Sequence, residues 1–321
     1  MRTRWLAILA LVALFAFSAG TSAAPAKPWT FGVSYQNLAF PYVAALQKAA
    51  QAACKALGVK CIETDAFNDA DKELKNVESM LAQRINCLSF EATSLKASSA
   101  SIIAANKKGV PVVQFNGKAE GGTWVTFVGS EQPESGVQLG VYLADLYKKL
   151  GKAKLRGIYL RGVAGQITDI ARNDGLKNKL KGENLLDKIS FVEQYADYDR
   201  GKGQSVTESL LTRDKTYDFI VANNDDMILG ALQVVRQFKL TGKIRLAGVD
   251  GLPEALEAIQ KGELDATVFQ DPEGQGGGGI WGCYLHLSGV KLPKDILIPF
   301  KLVTKANVNE FMAIAKRVYV K

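Results

Sequence analysis

Four polar side chains stand together where a predicted strand gives way to a predicted helix. The stretch ANNDDMILGAL, residues 222–232, follows the apolar run YDFIV and opens an amphipathic segment. It contains two amides and two carboxylates, Asn223 to Asp226. Such residues either cap the helix, since Asn and Asp favour helix N-termini, or face a bound molecule. For Asp226, which opens DMILGAL, we favour the capping role.

Similar groups follow most of the other predicted strands. Ligands bind outside the carboxyl ends of the strands in open parallel α/β sheets, so these positions are candidates for binding. The polar candidates are Asn37, Asn116, Arg172, Asp197, Asp199, Asn224, Asp225, Asp250 and Gln270, and the aromatic ones are Tyr35, Phe40, Tyr42, Phe90 and Tyr198. Hydroxyl groups donate and accept hydrogen bonds, and ring C–H faces pack on aromatic surfaces, so this mixture suits a neutral polyhydroxylated ligand. Caps and turns use the same residue types, and for Asp197 and Asp199 both roles stay open.

The chain lacks the residue patterns of other common chemistries. Its one histidine, His286, lies on a predicted helix, so Ser-His-Asp chemistry has no base. With no C-x-x-C pair, the sequence predicts no metal site. The segment GQGGGG from Gly274 lacks the lysine and hydroxyl of a phosphate loop, and we expect it to open the next helix close to the sheet. We therefore expect a binding protein without a cofactor, not an enzyme.

A regular alternation of strands and helices positions these residues. Apolar residues at helical spacing, as in PYVAALQKAAQAACKALG, separate short β-rich runs such as WTFGVSY and INCLSFEA. The alternation predicts parallel strands with helices on both faces of each sheet. It restarts after VGSEQPESG and ends with the predicted strand ILIPFKLVTK and a short helix. The fold class is α/β, with two similar doubly wound parallel-sheet units, and the lack of a long linker indicates more than one crossover between them.

Residues 1–26 have the composition of a secretory signal peptide. Two arginines precede an apolar run from Trp5 to Phe17 and then small residues suited to cleavage. This run is shorter than the roughly 20 residues of a membrane span. We expect an exported, soluble mature protein with two domains of roughly 100–150 residues each.

The distribution of charge indicates which partners the protein can bind, and its cysteines bear on whether it works in an oxidising compartment. The formal net charge of +8 comes from scattered lysines rather than a dense basic block, so we expect no nucleic-acid partner. Cys54 and Cys61 flank a predicted turn, and their spacing allows a disulfide in an oxidising compartment. Cys87 and Cys283 each lie alone in an apolar segment, and we interpret both as small buried apolar residues.

As a set, several segments resemble the type I periplasmic sugar-binding proteins, the family of the ribose-binding protein. The resemblance covers nearly the whole mature chain and includes IARNDGLKNKL, ADYDRGKG, ANNDDMILGAL and LAGVDGLPEALEAIQKGELDATVFQDP in the family's order. It implies two lobes that close on a ligand by hinge motion. The implied hinges lie near Gly129–Ser130, Gln270–Asp271 and Pro299–Phe300. The implied N-terminal lobe is 27–129 with 271–299, and the implied C-terminal lobe is 130–270 with 300–321.

The resemblance also assigns ligand contacts in both lobes. In the C-terminal lobe they are Arg172, Tyr198, Asn224, Asp250 and Gln270, so that Asn224 points at the ligand while Asp226 starts the helix. In the N-terminal lobe they are Phe40, Tyr42, Phe90 and Asn116. Here the chain departs from the family, because Asn116 followed by glycine replaces an Asp-Arg pair and removes the strongest hydroxyl contacts of that lobe. The ligand class therefore stays open among monosaccharides, deoxy sugars, polyols and other small hydroxylated compounds.

The family's roles supply the functional hypotheses. The first is a periplasmic binding protein that delivers its ligand to the membrane permease of an ABC importer. The second is a sensory module whose closed form docks a chemoreceptor or a sensor kinase, since members of the family serve both roles. The third, an exported α/β enzyme, lacks a recognisable nucleophile, base or metal cluster. A DNA-binding repressor shares the fold, but the chain has no segment that resembles a DNA-binding headpiece.

Overall fold

A computed structural model of the protein describes residues 29–319, and the predicted signal peptide, residues 1–26, lies outside that range. The chain forms two lobes, each built on a six-stranded sheet. Two hydrophobic clusters accompany each sheet, because helices pack on both of its faces. The predicted α/β class, with two similar parallel-sheet lobes joined by several crossovers, is confirmed.

The first lobe has the sheet order β2-β1-β3-β4-β5-β11, and all neighbouring strands are parallel. Its strands are β1 (Thr30–Tyr35), β2 (Lys60–Asp65), β3 (Cys87–Phe90), β4 (Val112–Phe115), β5 (Thr126–Gly129) and β11 (Asp295–Leu297). Its helices are α1 (Pro41–Leu57), α2 (Ala70–Ala82), α3 (Ser99–Lys107) and α9 (Gly278–Leu287), and a π-helical turn (Glu273–Gly277) precedes α9. The carboxyl ends of β1 to β4 therefore meet at one edge of this sheet.

The second lobe repeats this arrangement with the order β7-β6-β8-β9-β10-β12, in which only the β10–β12 pair is antiparallel. Its strands are β6 (Leu155–Arg161), β7 (Ile189–Tyr195), β8 (Phe219–Ala222), β9 (Arg245–Asp250), β10 (Ala266–Phe269) and β12 (Lys301–Thr304). Its helices are α4 (Gln132–Leu150), α5 (Ile167–Gly182), α6 (Arg200–Arg213), α7 (Asp225–Gln237), α8 (Pro253–Lys261) and α10 (Val308–Tyr319). In both lobes the order of the strands reverses next to the first strand, where α/β sheets open a crevice for ligands.

Three crossovers connect the two sheets. The first crossover runs from β5 to α4, the second from β10 to the π-helical turn, and the third from β11 to β12. The segments proposed as hinges fall in these connections. The prediction of one strand over ILIPFKLVTK is wrong, because β11 joins the first sheet and β12 the second. Pro299 lies between them and has no N–H to donate to a strand ladder.

All four cysteines form disulfides, Cys54 with Cys61 and Cys87 with Cys283. The Cys54–Cys61 bridge crosses the turn between α1 and β2, as its spacing allows. The interpretation of Cys87 and Cys283 as isolated apolar residues is wrong. They are 196 positions apart in sequence. However, the return of the chain to the first lobe packs α9 against β3, as the tight approach of Gly279 to Ser89 illustrates.

The C-terminal helix α10 contacts both lobes. Phe311 and Ala315 belong to the core of the second lobe, whereas Val318 packs with Ala45 and Ala49 of α1 in the first. No helix among residues 29–319 combines the length and apolar character that a membrane crossing requires.

Candidate functional site

A cleft of about 630 Å³ lies between the carboxyl ends of the two sheets. Eight of the nine residues assigned as ligand contacts line it. They are Phe40, Tyr42, Asn116, Arg172, Tyr198, Asn224, Asp250 and Gln270. Because these residues follow strands of both lobes, the cleft has one wall from each lobe and a floor at the crossovers, where Ser130 and Gln270 lie.

Phe90 is the exception, and its assignment as a ligand contact does not match the structure. It is completely buried in a core cluster of the first lobe, with Leu88 and Ile102. Phe90 is the last residue of β3, and successive side chains of a strand point to opposite faces of the sheet, so its ring joins the core. The loop after β3 reaches the cleft instead, through residues 92–96.

The wall of the second lobe centres on a buried cation. Arg172 lies on α5, and its Nη1 atom is 3.7 Å from Oδ1 of Asp250. Its Nη2 atom donates to Oε1 of Gln270 at 3.2 Å, and Nη1 also donates to the backbone carbonyl of Asn223. The Nε atom is buried and has no hydrogen-bond partner within residues 29–319. The guanidinium is thus held in place while one donor remains unused.

Asp250 occupies an unusual backbone conformation at the end of β9. Its φ angle is 126°, in the region that favours glycine, and such strain clusters at functional sites. Asp225 holds the turn from below, because its Oδ2 atom accepts hydrogen bonds from the backbone N–H groups of Gly251 and Leu252, each at 2.8 Å. Burial raises the pKa of Asp250 to about 7, and the charge of Arg172 opposes this rise.

Asn224 both caps a helix and lines the cleft. Its Oδ1 atom accepts a hydrogen bond from the backbone N–H of Met227 at 3.0 Å, and its Nδ2 donates to the carbonyl of Tyr198 at 3.2 Å. The prediction that Asp226 caps α7 is wrong. The extended backbone of Asn224, φ −149° and ψ 170°, is the geometry a capping residue needs, whereas Asp226 already lies within the helix and pairs with Arg200 at 2.8 Å.

Asp197 and Asp199, whose roles stayed open, have structural partners near α6. Asp199 caps this helix by accepting a hydrogen bond from the backbone N–H of Lys202 at 2.8 Å. Asp197 pairs with the ammonium group of the same lysine at 2.6 Å. Neither residue lines the cleft.

Aromatic rings meet across the cleft. The ring of Phe40, from the first lobe, lies 6.3 Å from the ring of Tyr198, from the second lobe, in an edge-to-face arrangement. Tyr198 packs tightly on Gly162, where an added Cβ atom would lie 2.1 Å from the ring. The hydroxyl groups of Tyr198 and Tyr42 are buried without a hydrogen-bond partner in the described part of the chain. The cleft thus offers apolar faces beside unused polar atoms.

Asn116 connects the two walls. Its Nδ2 atom donates to Oε1 of Glu91 at 2.5 Å, and its Oδ1 accepts from Nε2 of Gln270 at 2.8 Å. Glu91 is fully buried and also accepts from the backbone N–H of Gln36, at 3.1 Å. Burial raises the pKa of Glu91 to about 7. Glu91 was not among the contacts predicted from the sequence, although a charged residue directly after a buried strand was a visible signal.

A second supporting residue that was not predicted, Asp169, acts on Arg172 through Asn223. Asp169, one helical turn earlier on α5, accepts hydrogen bonds from Nε and Nη2 of Arg161, at 2.9 and 2.7 Å. It also accepts from Nδ2 of Asn223 at 2.7 Å, and Asn223 supplies the carbonyl that Arg172 contacts. The spacing of three residues between Asp169 and Arg172 places both on one helix face, which the sequence alone could have indicated.

The groups that line the cleft are suited to recognition of an uncharged ligand. No group of His, Cys, Asp and Glu residues within residues 29–319 could hold a metal ion. The charge of Arg172 is opposed by Asp250, and Lys118, at the first-lobe wall, pairs with Asp295 at 2.7 Å. Amides, a carboxylate and a guanidinium beside aromatic rings can bind an uncharged molecule that carries several hydroxyl groups.

Comparisons with known proteins agree with this geometry. The family model for the periplasmic binding protein domain matches residues 31–291. The ribose import binding protein RbsB of Bacillus subtilis is 35% identical over 87% of this chain and 88% of its own length. A Bacillus halodurans ABC transporter solute-binding protein, solved with myo-inositol, is 28% identical, with a TM-score of 0.81 over 90% of this chain and 99% of its own. A Mycobacterium smegmatis solute-binding protein, solved with glycerol, is 30% identical, with a TM-score of 0.80 over 88% and 96%. The chain therefore belongs to the periplasmic binding protein family.

Proposed function

We propose that this protein is an exported solute-binding protein that captures a sugar or polyol between its lobes and delivers it to an ABC importer. One observation carries the proposal: the Arg172–Asp250 pair and the Gln270 amide of one lobe face Phe40 and Tyr42 of the other across a single cleft. The hydroxyl groups of the ligand would bind to Arg172, Asp250 and Gln270. Its ring or carbon chain would pack on the rings of Phe40 and Tyr42.

The relatives support both the ligand class and the transport role. They include a ribose import protein and solute-binding proteins of ABC transporters solved with myo-inositol and with glycerol. All three compounds are uncharged and rich in hydroxyl groups, as the opposed charges of the cleft favour. Because the named roles are import roles, we propose transport alone and not the sensory alternative.

The proposed location is the periplasm, reached through a signal peptide cleaved near residue 26. The composition of residues 1–26 supports export. The two disulfides add support, since disulfides persist in oxidising compartments such as the periplasm.

A thermal-shift screen tests the ligand class. The mature protein would be mixed with ribose, allose, deoxy sugars, myo-inositol and glycerol, with charged amino acids as a control panel. A ligand that binds only the native state adds about 2.7 kcal/mol of stability at a hundredfold excess over its dissociation constant, which raises the melting temperature. We expect a rise with at least one hydroxylated compound and none with the charged panel. A rise with the charged panel alone would contradict the proposal.

Ligand affinity is expected to fall as the pH drops from 8 to 6. The ionised form of Asp250 accepts hydrogen bonds from ligand hydroxyls, so binding favours this form, and its pKa of about 7 means that acid removes it. Affinity is therefore complete above pH 7 and declines below it, by up to about tenfold per pH unit. Calorimetric titrations at several pH values check this, and Asp250→Asn should bind more weakly and lose most of the decline, the remainder belonging to Glu91, whose pKa is also about 7. The same decline in Asp250→Asn would assign it to another group.

A further inference from the structure

The glycine-rich segment 274–279 brings the second crossover into direct contact with the first lobe. A Cβ atom added at Gly276 would lie 2.3 Å from the carbonyl oxygen of Leu46 on α1, and one at Gly279 would lie 2.5 Å from Oγ of Ser89 on β3. Glycine is required at Gly276, because the atoms that an added Cβ would meet belong to the backbone of α1. The segment includes a π-helical turn, a rare conformation that is frequent at functional sites. This turn directs the side chain of Gln275 into the interior, where it is completely buried.

Hydrogen bonds of Gln275 and of its partner Ser130 join all three crossovers. Its Nε2 atom donates to Oγ of Ser130, in the first crossover, at 2.8 Å. Ser130 in turn donates to the carbonyl of Ile298, in the third crossover, at 2.6 Å. Gln275 itself lies at the end of the second crossover, and its Oε1 accepts from Nε2 of Gln270 at 3.3 Å. One buried amide therefore connects the three segments that any movement between the lobes must bend.

The same amide is linked to the cleft. Gln270, which Gln275 contacts, accepts a hydrogen bond from Arg172 at 3.2 Å and donates one to Asn116 at 2.8 Å. Gln270 is thus hydrogen-bonded to one residue of each lobe. Gln275 accepts a further hydrogen bond from the Gln270 amide, on the side of the crossovers. An uninterrupted hydrogen-bond chain runs from Arg172 through Gln270 and Gln275 to Ser130.

We propose that Gln275 is a positioning residue that couples ligand binding to the angle between the lobes. It orients the Gln270 amide toward Arg172 and Asn116, and it joins the crossovers in the conformation in which Phe40 meets Tyr198 across the cleft. A rotation of one lobe changes the distances between the crossovers, so these bonds favour one lobe angle. A ligand that binds to Arg172 and Asn116 keeps both residues close to Gln270, and so favours the hydrogen bonds that Gln270 and Gln275 make. The inference rests on the proposed function, because it concerns the ligand site of that function.

Gln275→Met tests the proposal, since methionine has a similar length and cannot make these hydrogen bonds. Removing the bonds shifts the lobes toward a separated state, and a smaller binding-competent fraction weakens apparent affinity in proportion. We expect the dissociation constant for D-ribose or myo-inositol, measured by calorimetry, to rise about tenfold. We also expect the radius of gyration without ligand, measured by X-ray scattering, to increase. Gln51→Met, at an exposed glutamine of α1, is the matched control and should change neither quantity.

Ser130→Ala provides a second test that does not depend on the folding of Gln275→Met. It removes the partner of the same hydrogen bond, so by itself it should also raise the dissociation constant and the radius of gyration without ligand. In the double variant with Gln275→Met, the combined effect on affinity should be smaller than the sum of the two single effects. A purely structural role would lower the unfolding temperature and leave affinity and lobe separation at wild-type values, which would overturn the proposal. If the wild type bound neither compound, the proposed function would be in question. The radius of gyration of the ligand-free variants would then decide the inference by itself.

Discussion

Replacing Arg172 with methionine is expected to raise the dissociation constant for the bound sugar or polyol at least a hundredfold. The substitution keeps an unbranched apolar side chain on α5 but removes the guanidinium donors. It also leaves Asp250 buried without its neighbouring cation at 3.7 Å. The charge-assisted hydrogen bonds to the ligand are lost, and the pKa of Asp250 rises further without Arg172, which removes the ionised acceptor. Together these losses account for about 3 kcal/mol, which corresponds to more than two orders of magnitude in affinity. Isothermal titration calorimetry with the strongest ligand of the thermal-shift screen measures the change.

Arg236→Met is the matched control for this prediction. Arg236 lies on α7 and pairs with Glu263 on the surface, with 45% of its side chain exposed. Its replacement should leave affinity unchanged, because Arg236 does not line the cleft, and should leave folding nearly unchanged, because surface ion pairs contribute little to stability. Circular dichroism of both variants separates lost binding from lost folding. If Arg172→Met were folded and bound its ligand as tightly as the wild type, the assignment of the site would be wrong.

Replacing Cys87 and Cys283 together with alanine is expected to destabilise the first lobe by about 5 kcal/mol. The stability that a disulfide adds through chain entropy grows with the loop that it closes, and this loop of 196 residues contains all of the second lobe except β12 and α10. The bridge ties α9 to β3, so it joins two stretches of the first lobe that the inserted second lobe separates. Both cysteines are completely buried, and alanine keeps the site small and apolar.

Cys54 and Cys61 provide the comparison for the disulfide experiment. Their loop spans only 7 residues, so the same treatment should cost about 2 kcal/mol. Urea unfolding followed by tryptophan fluorescence suits this measurement, because Trp29, Trp124 and Trp281 all lie in the first lobe. Equal losses for the two pairs would contradict the dependence on loop length.

The sequence predicted the architecture because its signals are local. Helical spacing in PYVAALQKAAQAACKALG and short apolar runs such as INCLSFEA recur often enough to indicate parallel strands with helices between them. The polar residues at strand ends were also informative, because parallel strands bring their carboxyl ends to one edge of the sheet. Eight of the nine assigned contacts accordingly line one cleft.

The wrong predictions concern choices between neighbouring residues and contacts between distant ones. Phe90 and Glu91 differ by one position, and the pleat of β3 decided that the ring enters the core while the carboxylate supports Asn116. Asn224 rather than Asp226 caps α7, since the cap is set by the residue at which the backbone turns from extended to helical. The Cys87–Cys283 bridge depends on the return of the chain after an inserted lobe, which no local pattern records.

By itself, the sequence determined the order of strands and helices apart from β5 and the division of the last predicted strand into β11 and β12. It also determined the two-lobe class and the chemical types of the groups at the strand ends. These follow from periodicity and composition, which act over a few residues. Only the tertiary structure decided which of those groups meet, through the Arg172–Asp250 pair, the Gln270–Asn116 bridge and the position of Gln275 among the crossovers. These contacts join residues as far as 154 positions apart. Such pairs form only because the packing of both lobes brings distant backbone segments within hydrogen-bonding distance.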